Sequence, residues 1–570
     1  MGIRSLQTYI TQFVKNGTVP VDIKEEIEKY RRQHNGEMPL IVIDLLSIHP
    51  LFYTNKQELV LGARYNVYKD RVIDLFSRIK SYGVRLVFFT DGPAREEKLP
   101  TCLKRRNNEY QRAMQALQVV YSGADLRSRL EDMDVASPVP FFGILRKMAK
   151  EFGDLNIAVR NECDIELADY ATKNGALAII SNDTDFLIFE GDWKFWSSGH
   201  LNVFRLKTLE FNRQALRETL GLRPDQMAIL ATMSGNDLVP YDSVRRFHFQ
   251  IKQRDRFHFR ATASKILSLR LSTHTITDDD VRYITQLIFN NYNDREEDIK
   301  LVETSLKSYD YSRMNTEYNF KIPLRDVSDY GKFNYIILAN VKYIVQCHHF
   351  DLSKKDLLPY FDIFSPLIRR IMGILLNHDK NDNSRRFYFK LDHNRDYEEV
   401  ILNPEYPPCE VPPIDELLYE NTGVNPHLDR TRLELACWQI SSKLTPETLG
   451  SLPTENISNV ATLLYLVELG QIDVDEADCL LLACNCPKDV CYSLRLNDIR
   501  YANERDVRLA FLFTSVLVYI RNCFCAVGLD DLRTLITFDG LYFHTLRQSW
   551  NVTDRAALLR PFAAIRIYAR

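Results

Sequence analysis

Seven acidic residues have types and spacing that could do chemistry: Asp44, Asp91, Glu162, Asp164, Asp183, Asp185 and Asp237. Most of them fall at apparent strand ends or at the mouth of a helix, a placement that packing does not require. Carboxylates gathered in one pocket repel one another, so each raises its neighbours' pKa and is costly to keep ionised. Divalent cations remove that penalty. Two such ions about 3.5–4 Å apart can activate a water and stabilise the leaving oxygen in phosphodiester hydrolysis. All-oxygen donors select hard ions such as Mg²⁺ or Mn²⁺ over zinc. Each acid alone also has an ordinary reading. Asp183 fits a turn, Glu162 fits a helix N-terminus, and Asp91 before Gly92 is a common turn dipeptide.

The elements that must position these acids are legible as hydrophobic runs. Residues 39–44 (Pro-Leu-Ile-Val-Ile-Asp) and 84–91 (Val-Arg-Leu-Val-Phe-Phe-Thr-Asp) are apolar stretches ending in an acid, which suits buried parallel strands. Residues 156–160 and 176–181 read as two more strands, and 68–81, 141–152 and 165–172 as helices between them. Strands alternating with helices predict an α/β domain with a mostly parallel sheet, whose sites form beyond the carboxyl ends of the strands. Asp44, Asp91 and Asp183 lie at or just past such ends. Residues 1–35 read as a helical lead-in. Residues 95–135 read as a charged helical insertion carrying Lys98, Lys104, Arg105, Arg106 and Arg112. The resulting division is a domain over 1–260 and a helical extension over 261–402. A linker over 403–413, with five prolines in eleven residues, and a helical C-terminal domain over 414–570 complete it.

At 570 residues the chain is too long for one ordinary core. A net charge of −3 excludes a basic coat for nucleic acid, so any such binding must come from a local patch. One candidate is the recurrence of Arg246-Phe-His-Phe249 as Arg256-Phe-His-Phe259, among Arg245, Lys252, Arg254, Arg260 and Lys265. Cations interleaved with rings suit single-stranded nucleic acid, and they equally suit an amphipathic helix with buried Phe and solvated Arg. Met1 to Leu6 lacks the apolar core of a signal peptide, and Leu6 stands where a myristoylation site wants Ser or Thr. No apolar run reads as long enough to span a bilayer. Eleven cysteines then suggest reduced thiols inside a cell, with cytoplasm and nucleus both open. Cys479, Cys484, Cys486 and Cys491, with Cys523 and Cys525, lack usual zinc spacing and have Leu-rich flanks, so they read as buried core thiols. Cys347-His348-His349 is an equally weak metal signal.

Several motifs together carry a resemblance. Met-Gly-Ile-Arg-Ser-Leu at the start, Val42-Ile43-Asp44, Asp91-Gly92-Pro93, Glu162-Cys-Asp164 followed by Ala168, Ser181-Asn-Asp183-Thr-Asp185-Phe-Leu187 and Gly235-Asn-Asp237 occur in that order. They resemble the flap-endonuclease (XPG-type, PIN-like) superfamily over roughly residues 1–260. Residues 91–98 and 104–111 are similar to its asteroid-like and constitutive-coactivator-of-PPAR-gamma-like branch.

The resemblance implies a two-ion Mg²⁺ or Mn²⁺ site. Asp44, Asp91, Glu162 and Asp164 would serve one ion, and Asp183, Asp185 and Asp237 the other. It implies that Lys98 and Arg105 polarise the scissile phosphate, and that the amino end at Gly2 lies near the pocket. Gly2, Lys104, Arg106, Arg245, Arg246, Lys252, Arg254, Arg256 and Arg260 would contact DNA or RNA. Two departures stand out. Pro100 is tolerated only in a first helical turn, which leaves Lys98 ahead of the helix. After Asp237 the chain runs Leu238-Val-Pro-Tyr-Asp-Ser-Val-Arg-Arg246, without the Gly-rich hairpin by which such nucleases anchor a duplex. Two functions therefore remain open. One is a metal-dependent nuclease. The other is a nucleic-acid-binding scaffold with the C-terminal helical domain as a protein dock.

Overall fold

The computed structural model describes residues 2–53, 55–123, 125–251, 256–269, 276–289, 295–314, 327–378, 383–495, 499, 502–550 and 554–569. The chain divides into two compact units, and both are discontinuous in sequence. The first comprises residues 1–52, 72–98 and 146–319, and the second 53–71, 99–145 and 320–570. Residues 261–319 thus belong with the strands of the first unit, whereas 99–145 do not.

The first unit is built on seven strands: β1 (Thr18–Asp22), β2 (Leu40–Asp44), β3 (Arg85–Asp91), β4 (Asp154–Ala158), β5 (Ala178–Ser181), β6 (Lys194–Ser197) and β7 (Lys207–Phe211). Their order is β1-β7-β6-β5-β2-β3-β4. Strands β6, β5, β2, β3 and β4 run parallel, and β7 and β1 add an antiparallel edge. Strands β2 and β3 are buried on both faces, which is why they read as continuous apolar runs rather than alternating ones. The chain leaves β2 on one side for β3 and β4, then returns on its other side with β5 and β6. Such a reversal opens a crevice at the carboxyl ends of the strands it separates. Asp44 ends β2 and Asp183 follows β5 by two residues, so both border that crevice.

Strand β1 corrects the expectation of a helical lead-in over 1–35. Helices occupy Leu6–Phe13 and Ile23–Gln33, but Thr-Val-Pro-Val-Asp between them pairs with β7. Pro20 is tolerated there because β1 is the sheet's edge. Strands β6 and β7 were not anticipated from the sequence.

The core against the sheet draws on Ile3, on the first helix (Leu6, Ile10) and on the helix Met227–Ser234 (Ile229, Leu230, Met233). It also draws on helices past residue 260, through Ile266, Ile284 and Val302. Burial of these chains at about 25 cal/mol per Å² is what joins residues 261–314 to the unit.

The second unit contains a small sheet of β8 (Tyr343–Ile344), β9 (Arg385–Phe389) and β10 (Glu398–Leu402), in the order β10-β9-β8. The rest is mostly helical, including nearly all regular structure after residue 413. Its central helix, Glu504–Ala526, is long and apolar enough by length and composition to cross a membrane, contrary to the sequence expectation. It is largely buried, however, and packs against the helices Tyr360–Leu375 and Thr454–Glu468. Residues 403–413 form neither helix nor strand. They lie inside this unit rather than between units, with Glu405 N–H bonded to Arg369 O (2.9 Å) and Val411 buried. Cys479, Cys484, Cys486, Cys491, Cys523 and Cys525 are all buried free thiols, as their Leu-rich flanks imply.

Candidate carboxylate site

Six of the seven acids converge by charge in the first unit. Asp44 ends β2 and caps the short helix Leu45–Ile48 by accepting from Leu46 N–H (3.2 Å) through Oδ1. Its Oδ2 accepts the hydroxyl of Ser181, the last residue of β5 (2.7 Å). Asp183 N–H in turn donates to Ser181 Oγ (3.1 Å), and Asp183 Oδ1 accepts from Asp185 N–H (3.0 Å). Ser181 therefore ties the ends of two adjacent strands into one acidic edge. Asp91 ends β3 in an exposed position. Gly92 after it has no room for a side chain, because a Cβ would lie 1.9 Å from Ala158 O of β4.

Glu162 occupies the N-cap position of the helix Cys163–Lys173 without capping it. Its carboxylate instead accepts from Lys98 Nζ (2.8 Å), and Asp237 Oδ2 lies 3.9 Å from the same ammonium. The ordinary readings of these acids are thus partly true. Asp44 and Asp183 do cap turns, whereas Glu162 does not serve its helix.

The acids act strongly on one another. Burial, together with the charges of Asp183, Asp44, Asp185 and Asp91, pushes Asp164 well above the usual carboxylate range. Burial and the charges of Asp183 and Asp237 do the same to Asp185, against the pull of Lys98. Asp44 is raised to about 6, chiefly by burial, with Asp91 and Asp183 adding and the Ser181 hydrogen bond opposing. Burial alone would lower Lys98, but Glu162, Asp237 and Asp164 outweigh it and hold the ammonium above its ordinary value.

The donor set is all oxygen and its charge is under-compensated, which fits hard divalent cations. Among the described residues, no three His, Cys, Asp or Glu side chains are spaced to hold a metal ion as they stand. Lys98 is a cation held among these acids. Replacing Lys98 by Met is therefore expected to lower the stability of the chelated protein by about 3 kcal/mol, because Glu162 and Asp237 lose their counter-charge. Addition of Mn²⁺ should recover most of that loss. Chemical denaturation in EDTA and in Mn²⁺ measures both, and an unchanged midpoint in EDTA would refute the role given to the ammonium.

The other expected residues separate. Gly2 adopts a left-handed backbone (φ +48), and a Cβ there would lie 2.4 Å from Asp183 Oδ1 and 2.8 Å from Asp185 Oδ1. Ile3 N–H anchors this end to Thr184 Oγ1 (2.6 Å). Lys98 ends a 3-10 turn, Glu96–Lys98, ahead of the helix Leu99–Tyr121, with Pro100 in the helix's first turn. Lys98 thus precedes the helix that carries Arg105, as the proline implied. Lys104, Arg105 and Arg106 lie on that helix in the second unit, where Arg106 pairs with Glu109 (2.5 Å).

In the repeated motif, Arg245 and Arg246 are exposed on the helix Tyr241–Ile251, and Phe249 is 87% exposed. Arg256 is exposed, and Arg260 donates to Tyr9 Oη (3.3 Å). Lys252 and Arg254 lie outside the described residues. The amphipathic reading holds for part of the repeat: Phe247 and Phe259 are core, and His248 and His258 stack with ring centroids 3.8 Å apart. Two residues absent from the sequence-based set touch the acidic edge, namely Ser181 and Tyr309, whose hydroxyl donates to Asp185 Oδ1 (3.2 Å).

No family model matches the chain. Among known proteins it is similar to the constitutive coactivator of peroxisome proliferator-activated receptor gamma. The Bos taurus protein is 27% identical over 250 residues, which is 44% of this chain and 35% of that protein. The Mus musculus protein is 28% identical over the same length and 31% of its own chain. The chain is similar to these coactivators over that stretch. It spans about a third of their length. The constitutive coactivator of PPAR-gamma-like protein 1 of Mus musculus is 22% identical over 261 residues, covering 44% of this chain and 23% of that one.

Similar solved structures are nucleases. Human GEN1 in complex with Holliday junction DNA matches at 14% identity and a TM-score of 0.31, covering 74% of this chain and 90% of that one. The flap endonuclease-1 of Methanococcus jannaschii matches at 12% identity and a TM-score of 0.26, covering 54% and 99%. The first unit has a mostly parallel central sheet flanked by helices, and three of its five parallel strands end in, or within two residues of, an acid of the set.

Proposed function

We propose that the first unit is a divalent-metal-dependent phosphodiesterase acting on DNA or RNA. The observation that carries this reading is the acidic edge: Ser181 ties Asp44 to the turn of Asp183 and Asp185, and Lys98 bonds Glu162 (2.8 Å) and lies 3.9 Å from Asp237. An edge of partly buried like charges is costly, and a pair of Mg²⁺ or Mn²⁺ ions bound there would turn that cost into affinity. Asp44, Asp91, Glu162 and Asp164 would hold one ion, and Asp183, Asp185 and Asp237 the other. When bound, such ions lower the pKa of water and stabilise charge on phosphoryl oxygens.

The chain's own groups supply the rest. The Ser181 hydroxyl orients Asp44, and the Asp185 amide orients Asp183. Lys98, which bonds Glu162 (2.8 Å) and lies 3.9 Å from Asp237, would be placed to stabilise charge on a scissile phosphate. The test is cleavage of end-labelled single-stranded, flapped and duplex DNA and RNA, in Mn²⁺ and in EDTA. Cutting in Mn²⁺ only is the expected result. Absence of cutting on every substrate, with binding retained, would overturn it.

The second reading, a nucleic-acid-binding scaffold, rests on the exposed Arg245, Arg246 and Phe249 of one helix. The relatives' name, coactivator, adds protein partners to it, for which residues 414–570 are the candidate dock. Cations beside a bare ring suit phosphates and unstacked bases. Reversing both charges, R245E with R246E, should weaken binding of a single-stranded 20-mer by roughly tenfold. The slope of log affinity against log salt should flatten by about 0.7 for each phosphate that is no longer neutralised. Unchanged affinity and slope, read by fluorescence anisotropy without divalent ions, would remove this surface from consideration.

A further inference from the structure

We propose that Tyr309 and Asn236 form a positioning pair that fixes the Asp185 carboxylate for metal binding. The proposal rests on the metal-site reading above, and it extends the site into a segment of the chain past the motifs that resemble known nucleases.

The direction of each hydrogen bond is determined by its neighbours. Asn236 Oδ1 accepts the backbone N–H groups of Leu238 (3.1 Å) and Val239 (2.9 Å), so its amide cannot be turned round without losing both. Its Nδ2 then faces Ser305 Oγ (2.8 Å) and Tyr309 Oη (3.2 Å) as a donor. Ser305 Oγ is itself bonded to Thr232 Oγ1 (2.8 Å). A phenol has one proton. With Asn236 donating to its oxygen, Tyr309 delivers that proton to Asp185 Oδ1 (3.2 Å).

The ring is held as firmly as the hydroxyl. Phe189 packs against it at 5.3 Å between centroids, and Tyr311 Oη donates to Glu190 O (2.6 Å). The turn that begins at Asp185 is thus gripped at both ends by residues 309–311. Asn236 also closes the turn carrying the neighbouring Asp237, through its own N–H to Val239 O (2.8 Å). One amide therefore sets the backbone of one acid and, through a phenol, the carboxylate orientation of another. Hydrogen-bond partners that orient a ligand typically contribute ten- to a hundredfold in metal affinity.

The test uses Tyr309→Phe in the full-length chain, which removes one oxygen and keeps the ring against Phe189. Mn²⁺ binding is followed by the electron paramagnetic resonance signal of the free ion, beside the Asp183→Ala, Asp185→Ala double variant and with melting in EDTA as the control for fold. The expected result is an apparent Kd for Mn²⁺ raised about tenfold in Tyr309→Phe, with an unchanged melting temperature in EDTA. A Kd within twofold of the parent protein overturns the positioning pair and leaves the metal site standing. A lowered melting temperature with parental Mn²⁺ affinity does the same, by reducing the hydrogen bond to a structural one. Mn²⁺ binding that is absent from the parent, or undiminished in the double variant, overturns the metal site and the pair together.

Discussion

Replacing Asp183 and Asp185 together by alanine is expected to reduce Mn²⁺-dependent cleavage by roughly a thousandfold or more, while the fold persists. The two residues share one short turn. Asp183 bonds the Asp185 amide, and Asp185 receives the Tyr309 hydroxyl. Their loss removes two of the three carboxylates assigned to one ion. It also removes buried like charge, so melting in EDTA should not fall. Cleavage rates from single-turnover assays at saturating Mn²⁺ decide the matter. A double variant that cuts within tenfold of the parent would place the chemistry elsewhere.

The second large effect is on stability against pH, and its sign is opposite to that of an ordinary ion-paired acid. Asp44 moves from 3.8 to about 6 on folding, and Asp164 and Asp185 move well above the usual range. Folded carboxylates that bind protons more tightly than unfolded ones contribute stability that is full below the unfolded value and is lost as pH rises through the folded value. For Asp44 alone this amounts to about 3 kcal/mol. In metal-free protein this contribution should therefore be lost as pH is raised from about 5 to 8.

Lys98 does not disturb this window, because a raised lysine loses its contribution only above its ordinary range. The buried histidines His49, His348, His349 and His544 are held low and act in the opposite sense below pH 6.5. The informative quantity is thus the difference between the parent and the Asp183/Asp185 variant, whose profile should be flatter. Saturating Mn²⁺ should reverse the parent's slope, since the ion binds the deprotonated carboxylates. Differential scanning calorimetry across that range in EDTA and in Mn²⁺ measures both. A parent profile that rises with pH in EDTA, in step with the variant's, would refute the account.

Much of the acidic edge was legible because each strand that carries it is buried on both faces. Leu40–Asp44 and Arg85–Asp91 differ from the predicted segments by one residue at their starts. Their apolar runs leave no other reading, and an acid closing such a run is conspicuous. Strands β6 and β7 were missed for the converse reason. Lys194–Ser197 and Lys207–Phe211 are short and mixed in polarity, and they become strands through pairing with β5 and β1 rather than through their own pattern. Thr18–Asp22 was masked by helical periodicity on both sides.

Ser181 was visible within its motif, but its hydroxyl's reach to Asp44 follows from the adjacency of β2 and β5, which no local signal reveals. Tyr309 carried no sequence signal at all. It sits 124 residues from Asp185, after a helix whose apolar face reads only as packing. The Pro-rich segment misled because proline content reports an extended backbone and not an exposed one. Val411 within it is buried, and Gly373 leaves the space that Glu405 O fills, a Cβ there standing only 1.7 Å away.

The interleaving of the two units has a consequence for synthesis. β2 leaves the ribosome early, but the first unit awaits Tyr309, by which time residues 53–71 and 99–145 have emerged without the 320–570 segment they fold with. Those two stretches must wait, partly apolar, while roughly 260 further residues are added after Tyr309, or about 13–50 s at common elongation rates. A chain stopped near 260 would end with neither unit complete. The nascent protein is therefore a candidate client for chaperones that shield such segments until the last helices arrive.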